Sequence, residues 1–261
     1  MMLNFEKFKK GDKKISMVTC YDHWTARILA DTDIDILLVG DSLSMVVHGF
    51  DSTVHATEDM MALHAAAVAR AKTGKPIVVD LPFLSHRKGK KHLMKTVDLL
   101  MKAGADAVKI ETPPGEEKII KYVVNSGVPV VGHIGLTPQY VHQLGGYKVQ
   151  GREEAQALAL KQSAQKLTDL GCRALVLECV PSLLAKKITE GISIPTIGIG
   201  AGPDCDGQVL VIQDLLGLNP GFKPKFVRHF ANGEAWMREA LGNYIVSVHA
   251  RQFPSEQESF Q

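Results

Sequence analysis

PIVVDLPFLSHRKGKKHLMKTVDLLMKAGADAVKIE, residues 76–111, decides the fold. It opens on a run rich in Val and Ile, passes through a basic stretch, continues as a helical pattern over KKHLMKTVDLLMKAG (90–104) and closes on a second apolar run, AVKIE (107–111). Apolar runs without polar alternation mark strands buried on both faces, as in a parallel sheet. Strand, helix and strand in that order make one parallel crossover unit.

The same unit recurs on both sides. ISMVTCY (15–21) and DILLVGD (35–41) come before PIVVDLP (76–82); VPVVGHI (128–134), ALVLECV (174–180), IPTIGIG (194–200) and QVLVIQD (208–214) follow AVKIE. Helical patterns lie between several of them: TEDMMALHAAAVARAK (57–72), EEKIIKYVVNSG (116–127) and REEAQALALKQSAQKLTDLG (152–171). Thr57 is placed as an N-cap with Glu58 and Asp59 in the first turn, where the helix dipole favours acids. Eight strand runs in 261 residues predict an α/β chain folded as one (β/α)8 TIM barrel, a single domain over residues 1–261, rather than an open doubly wound sheet. Past about residue 217 the pattern becomes irregular chain and a final helix within NGEAWMREALGNYIVSVHARQF.

Bulk properties exclude several classes. Hydrophobic residues at 45% and charged residues at 22% support a packed globule rather than disorder. A formal charge of +2 predicts no general attraction to nucleic acid or acidic membranes. MMLNFEKFKKGDKK at the start has no apolar core of a secretion signal, and no apolar run reaches membrane-spanning length. Cys20, Cys172, Cys179 and Cys205 form no C-x-x-C pair and read as free thiols, so a reducing, cytoplasmic setting is expected.

In a barrel the chemistry sits at the C-terminal ends of the strands. Here those ends read Asp41-Ser42, Asp80, Lys109 with Glu111, His133 and Glu178. Asp41, Asp80 and Glu111 are hard oxygen donors without a Cys or multi-His pattern, which suits Mg²⁺ better than Zn²⁺. Three carboxylates in one pocket repel unless a cation lies between them. Lys109 is two residues before Glu111, hence on the same face of its strand, where it can bind an anionic substrate group. Glu178, on a strand further round, is placed to act as a separate general base. Each group also has a structural alternative. Asp41 and Asp80 could cap turns, Lys109 could salt-bridge Glu111, His133 could be an interior hydrogen-bonded histidine, and Glu178 could pair with a buried cation.

Two segments invite separate readings. IGIGAGPDCDGQ (197–208) lacks the third glycine of G-x-G-x-x-G, so a wall that lets a ligand or another backbone approach closely is favoured over a phosphate cradle. HRKGKKH (86–92) reads either as a solvated loop or as a basic rim that attracts an anionic cosubstrate, such as a folate with its glutamate tail.

The strand ends also carry a family resemblance. MVTCYD (17–22), LLVGDSLSMVVHGFDST (37–53), VVDLPF (78–83), AGADAVKIE (103–111), PVVGHIGLTPQ (129–139), GGYKVQGR (145–152), LVLECVP (175–181), IGIGAGPDCDGQVLV (197–211) and FKPKFV (222–227) run in the order seen in ketopantoate hydroxymethyltransferases. The chain resembles that family over nearly its whole length. The resemblance implies a (β/α)8 barrel with one Mg²⁺ per subunit, Asp41, Asp80 and Glu111 serving the metal. It implies that Asp41, Ser42, Asp80, Lys109 and His133 line the 2-oxo-acid site and that Glu178 is the base. It further implies transfer of a hydroxymethyl group from 5,10-methylenetetrahydrofolate to 3-methyl-2-oxobutanoate through a Mg-stabilised enolate, giving 2-dehydropantoate and tetrahydrofolate in pantothenate biosynthesis. The family's usual assembly implies a homodecamer of two stacked five-membered rings.

The chain departs from the family pattern at Ser44, at STVHAT (52–57), at SHRKGKKH (85–92) and at KIETPP, with the strand-end residues intact. These departures leave open a paralogue acting on a related 2-oxo acid. A Mg-dependent lyase or mutase of the phosphoenolpyruvate mutase/isocitrate lyase type is the nearest alternative, but the basic segment KGKKH lacks the cysteine such lyases carry there. A barrel that binds a 2-oxo acid without catalysis would be expected to have lost the base or a carboxylate.

Overall fold

The computed structural model describes residues 5, 9, 13–112, 115, 117–221 and 223–260. The chain divides into two compact units, Met1–Val211 and Ile212–Gln261. The first carries all eight strands: β1 (Ile15–Thr19), β2 (Ile36–Val39), β3 (Ile77–Asp80), β4 (Ala107–Glu111), β5 (Val130–Gly135), β6 (Ala174–Glu178), β7 (Thr196–Ile199) and β8 (Gly207–Leu210). Each pairs in parallel with its sequence neighbours, and β8 pairs with β1, so the sheet closes into a barrel.

The crossover helices are α1 (His23–Ala30), α2 (Glu58–Ala69), α3 (Lys90–Lys102), α4 (Glu117–Asn125), α5 (Glu154–Asp169) and α6 (Ser182–Gly191). Thr57 does cap α2, its side chain accepting from the Met60 N–H. In α3, Leu93, Thr96, Val97 and Leu100 are buried, the i, i+3, i+4, i+7 stripe that docks a helix on a sheet. The predicted 116–127 segment begins on a residue outside the described set, and its helix runs from Glu117.

Two expectations need adjustment. The eighth strand is Gly207–Leu210, and the VIQD half of its predicted run enters a helix, Ile212–Leu216. The connection from β7 to β8 is the loop 200–206, without a helix. Its glycines serve close approach by the protein's own chain. A Cβ on Gly207 would run into Ile15 of β1, and one on Gly202, at φ +82°, would run into Ser182. That is the second half of the sequence reading for 197–208, backbone against backbone.

The barrel interior is layered. Ile15, Met17, Ile36, Val78, Ala107, Val131 and Ala174 form an apolar core lower in the barrel. Successive inward positions lie two residues on, so β4 reads Ala107 in the core, then Lys109, then Glu111. β5 reads Val131 then His133, and β6 reads Ala174, Val176, Glu178. The apolar floor thus sets the register that lifts the ionisable residues to the mouth.

The second unit contains the helix Ile212–Leu216 and the long helix Gly233–His249. Its long helix has no buried residue; Trp236, Met237, Leu241 and Ile245 are all exposed. No helix among the described residues is long and apolar enough to cross a membrane. All four cysteines are free, and three of them are buried.

Candidate active site

A cavity of about 110 Å³ at the barrel mouth is lined by Asp41, Ser42, Asp80, Lys109, Glu111, His133 and Glu178. All seven side chains singled out in the sequence therefore meet in one place. Sheet register explains why. Asp80 is the Cα partner of Lys109, Glu111 of His133, and Gly135 of Glu178. Paired residues on neighbouring strands share a face, so each group finds the next one beside it.

The contacts follow from this pairing. Lys109 Nζ lies 3.2 Å from Asp80 Oδ1 and 3.1 Å from His133 Nδ1. The ammonium can only donate, so His133 Nδ1 accepts and its Nε2 carries the hydrogen. That Nε2 faces Glu178 Oε2 at 3.3 Å. Burial, and then the Lys109 charge, hold His133 well below its usual pKa, so the imidazole is neutral. The Asp41 backbone N–H donates to Asp80 Oδ2 at 3.1 Å. A Cβ at Gly40 would come within 2.9 Å of Ser42 Oγ. Of the structural alternatives, the Lys109–Glu111 salt bridge gives way to an ion pair of Lys109 with Asp80.

Electrostatics distinguish the carboxylates. Burial pushes Asp41 up to about 7, and the Asp80 charge pushes the same way. Glu111 is raised well above the carboxylate range by burial and then by Asp41. Burial also brings Glu178 up to about 7, with Lys109 opposing. Lys109 is itself disfavoured by burial, but Asp80, Glu111 and Asp41 outweigh that and raise its pKa. The mouth is thus an acidic cluster with one ammonium inside it, and Glu178 stands at its edge, 15% exposed.

The donor set suits Mg²⁺. Glu111 Oε1 and Gln139 Oε1 are buried oxygens without a hydrogen bond, Asp80 Oδ1 faces the Lys109 ammonium, and the raised carboxyl pKa values would be relieved by a cation. Among the described residues no three His, Cys, Asp or Glu side chains make a preformed metal cage. Mg²⁺ does not require one, since it commonly takes one or two carboxylates and completes its shell with substrate and water oxygens.

Two residues at the site had no role in the sequence reading. Gln139 is buried in the short turn after β5 and donates to Asp41 Oδ2, to the Leu81 carbonyl and, through its backbone N–H, to Glu111 Oε2. Tyr21, fully buried, has its hydroxyl 2.9 Å from Ser42 Oγ. Both fall in quoted motifs, but both sit past the end of a strand, where residue spacing no longer indicates direction.

The departures at Ser44, in the 52–57 loop and in the basic segment make local contacts, while Pro113 and Pro114 of KIETPP lie outside the described residues. The Ser44 hydroxyl lies 2.9 Å from the carbonyl oxygens of both Asp41 and Ser52, so it ties the β2 exit to the altered 52–57 loop. Within the basic segment, Lys88 lies 3.5 Å from Glu58 and Lys90 stacks over Tyr122. Arg87 lines a second pocket with Phe83, Leu84, Gln139, Tyr140, His142 and Gln143.

Comparison with known proteins agrees with the motif order. A phosphoenolpyruvate phosphomutase from Streptomyces platensis subsp. rosaceus superposes with a TM-score of 0.62 at 12% identity, covering 95% of this chain and 87% of that one. A 2,3-dimethylmalate lyase does so at 0.60 and 17%, covering 100% and 93%. At such identities the likeness concerns the fold alone. Sequence relatives are far closer. The 3-methyl-2-oxobutanoate hydroxymethyltransferase of Bdellovibrio bacteriovorus is 53% identical over 259 residues, 99% of this chain and 98% of that protein. The enzyme of the same name from Coxiella burnetii is 50% identical over 252 residues, 96% and 95% of the two chains. The family model for ketopantoate hydroxymethyltransferase matches residues 1–256. With its motifs in family order and its relatives matched end to end, the chain belongs to the ketopantoate hydroxymethyltransferase family.

Proposed function

We propose that this enzyme transfers a hydroxymethyl group from 5,10-methylenetetrahydrofolate to 3-methyl-2-oxobutanoate, yielding 2-dehydropantoate and tetrahydrofolate for pantothenate biosynthesis. The observation that carries the reading is the convergence of the ionisable groups on one cavity at the barrel mouth. Asp41, Asp80, Glu111, Lys109 and Glu178 all line it, and within it burial brings the Glu178 carboxyl up to about 7.

The residues divide the work accordingly. Asp41, Asp80 and Glu111 would hold Mg²⁺, which when bound supplies a Lewis acid toward the keto and carboxylate oxygens. Lys109 Nζ and Ser42 Oγ bind and orient the substrate carboxylate. Glu178 takes the proton from C3 of the 2-oxo acid, and a base with a pKa near the working pH is suited to this. Neutral His133, held by Lys109, places its Nε2 edge 3.3 Å from the Glu178 carboxylate. The enolate carbon then forms its bond to the one-carbon unit of the folate; both carbon–nitrogen bonds of the methylene bridge break, water supplies the hydroxyl oxygen, and the two folate nitrogens take one proton from Glu178 and one from that water. Arg87 and the pocket it lines are the favoured contact for the folate's glutamate tail.

Self-association as a homodecamer and a cytoplasmic location belong to the same proposal. The unburied apolar side chains of Gly233–His249 support an interface between copies. Sedimentation velocity on the purified chain tests the decamer, and a monomer would refute it.

The decisive assay offers the 2-oxo acid with and without methylenetetrahydrofolate, in Mg²⁺ and in excess chelator. Product is expected only with both folate and metal. Full turnover in chelator would remove the metal assignment. Folate-independent carbon–carbon cleavage of a 2-hydroxy diacid would favour the lyase alternative.

A further inference from the structure

We infer that Gln139 is a positioning residue that sets the Asp41 and Glu111 carboxylates to receive a divalent cation. The inference rests on the metal-assisted reading above.

Gln139 lies in the turn Pro138–Tyr140 and is 3% exposed. Its Nε2 donates at 2.8 Å to Asp41 Oδ2 and at 2.8 Å to the Leu81 carbonyl. Its backbone N–H donates at 3.0 Å to Glu111 Oε2. One residue after β5 thereby ties together the ends of β2, β3 and β4. The amide orientation is not ambiguous. Both side-chain partners are acceptors, so the NH₂ end must face them, which leaves Oε1 without a partner.

The turn carrying Gln139 is itself anchored. The Leu136 N–H donates to the Glu178 carbonyl at 2.8 Å, and the Tyr140 N–H to the Thr137 carbonyl at 2.8 Å. The segment between Gly135 and Tyr140 thus links the backbone of the base to the two carboxylates. Each carboxylate gives one oxygen to Gln139. Glu111 Oε1 is left without a hydrogen bond, and Asp41 lines the cavity. Fixing one oxygen of a carboxylate fixes the direction of the other, as outer-sphere hydrogen bonds do around metal ligands.

Gln139→Met keeps the side-chain length and the backbone N–H to Glu111 but removes both amide donors. Mn²⁺ binding to the full chain is titrated by electron paramagnetic resonance without folate. The dissociation constant is expected to rise by about 10–100-fold, the usual effect of losing an outer-sphere partner. Exchange of the C3 proton into deuterated solvent should fall at low Mn²⁺ and recover as Mn²⁺ is raised. A purely structural role would lower thermal stability without changing either metal dependence. A folded Gln139→Met chain that binds Mn²⁺ like wild type overturns the assignment. If that variant does not fold, Gln139→Asn, which keeps a buried amide one methylene short, is read the same way. Failure of both to fold marks a fold determinant and also overturns the assignment. Asp80→Ala separates the two levels. If it binds Mn²⁺ as wild type does, the metal reading fails; if it alone loses Mn²⁺, only the role of Gln139 fails.

Discussion

Glu178 stands where the apolar run of β6 ends, its carboxylate facing the neutral His133 at 3.3 Å. Burial brings its pKa from 4.5 to about 7. A base works deprotonated, so the C3 exchange rate should rise with pH through about 7 and level off above it. Glu178→Gln keeps the shape and removes the base. It should cut exchange by roughly 10²–10⁴-fold while 2-oxo-acid binding stays nearly intact. Wild-type exchange in the Gln variant would identify another group as the base. At this scale the inward residues of the strands were legible, because the two-residue period of a strand fixes which face each side chain takes. Gln139 and Tyr21 were not, since a side chain in a turn points where tertiary contacts send it.

Among the elements, the loops above the strands decide what reaches the cavity. The basic segment 86–92 divides its charges unevenly. Lys88 lies 3.5 Å from Glu58, Lys90 covers Tyr122, and Arg87 is the basic residue of this segment that lines the pocket beside Gln139. Arg87→Ala should therefore raise the KM for folate more than Lys88→Ala or Lys90→Ala. The effect should be largest for polyglutamylated folate at low salt, because exposed charges are screened as salt rises. Equal effects from all three would return the segment to a general electrostatic rim. Gly135, at the end of β5, is at φ +96°, and a Cβ there would collide with the Glu178 carbonyl and with Val180. Gly135→Ala should destabilise the chain by at least about 1–3 kcal/mol from backbone strain alone. It should also slow C3 exchange by displacing Glu178, which denaturant titration and exchange kinetics would measure separately.

For the whole molecule, the acidic mouth is a stability cost that depends on pH. Asp41 has a folded pKa near 7, raised by burial and by Asp80 from an ordinary 3.8. A raised carboxyl pKa means that the fold prefers the protonated form. Its contribution is fully present below about pH 4 and is lost as pH rises through about 7. Metal-free protein should therefore melt at a lower temperature at pH 8 than at pH 5. Asp41→Asn should flatten that dependence, and Mg²⁺ should raise the Tm more at pH 8 than at pH 5. A Tm profile identical in wild type and Asp41→Asn would show that this carboxyl does not govern it.

The sequence by itself determined the barrel, the strand ends and the residues at them. Unbroken apolar runs separated by helical patterns have few ways to bury both faces of a sheet, and the inward period then carries Lys109, Glu111, His133 and Glu178 to the mouth. It also determined the cap at Thr57, because N-capping is a local hydrogen bond. Tertiary structure alone decided the rest. The β7–β8 connection dispenses with a helix because Gly207 and Gly202 let the chain pack directly against Ile15 and Ser182, a contact between segments far apart in sequence. Lys109 pairs with its register partner Asp80 rather than with Glu111 because residues two apart on a strand stand farther from each other than from register partners across the ladder. The Gln139 clasp brings together the ends of four strands, and spacing along the chain holds no record of such a meeting.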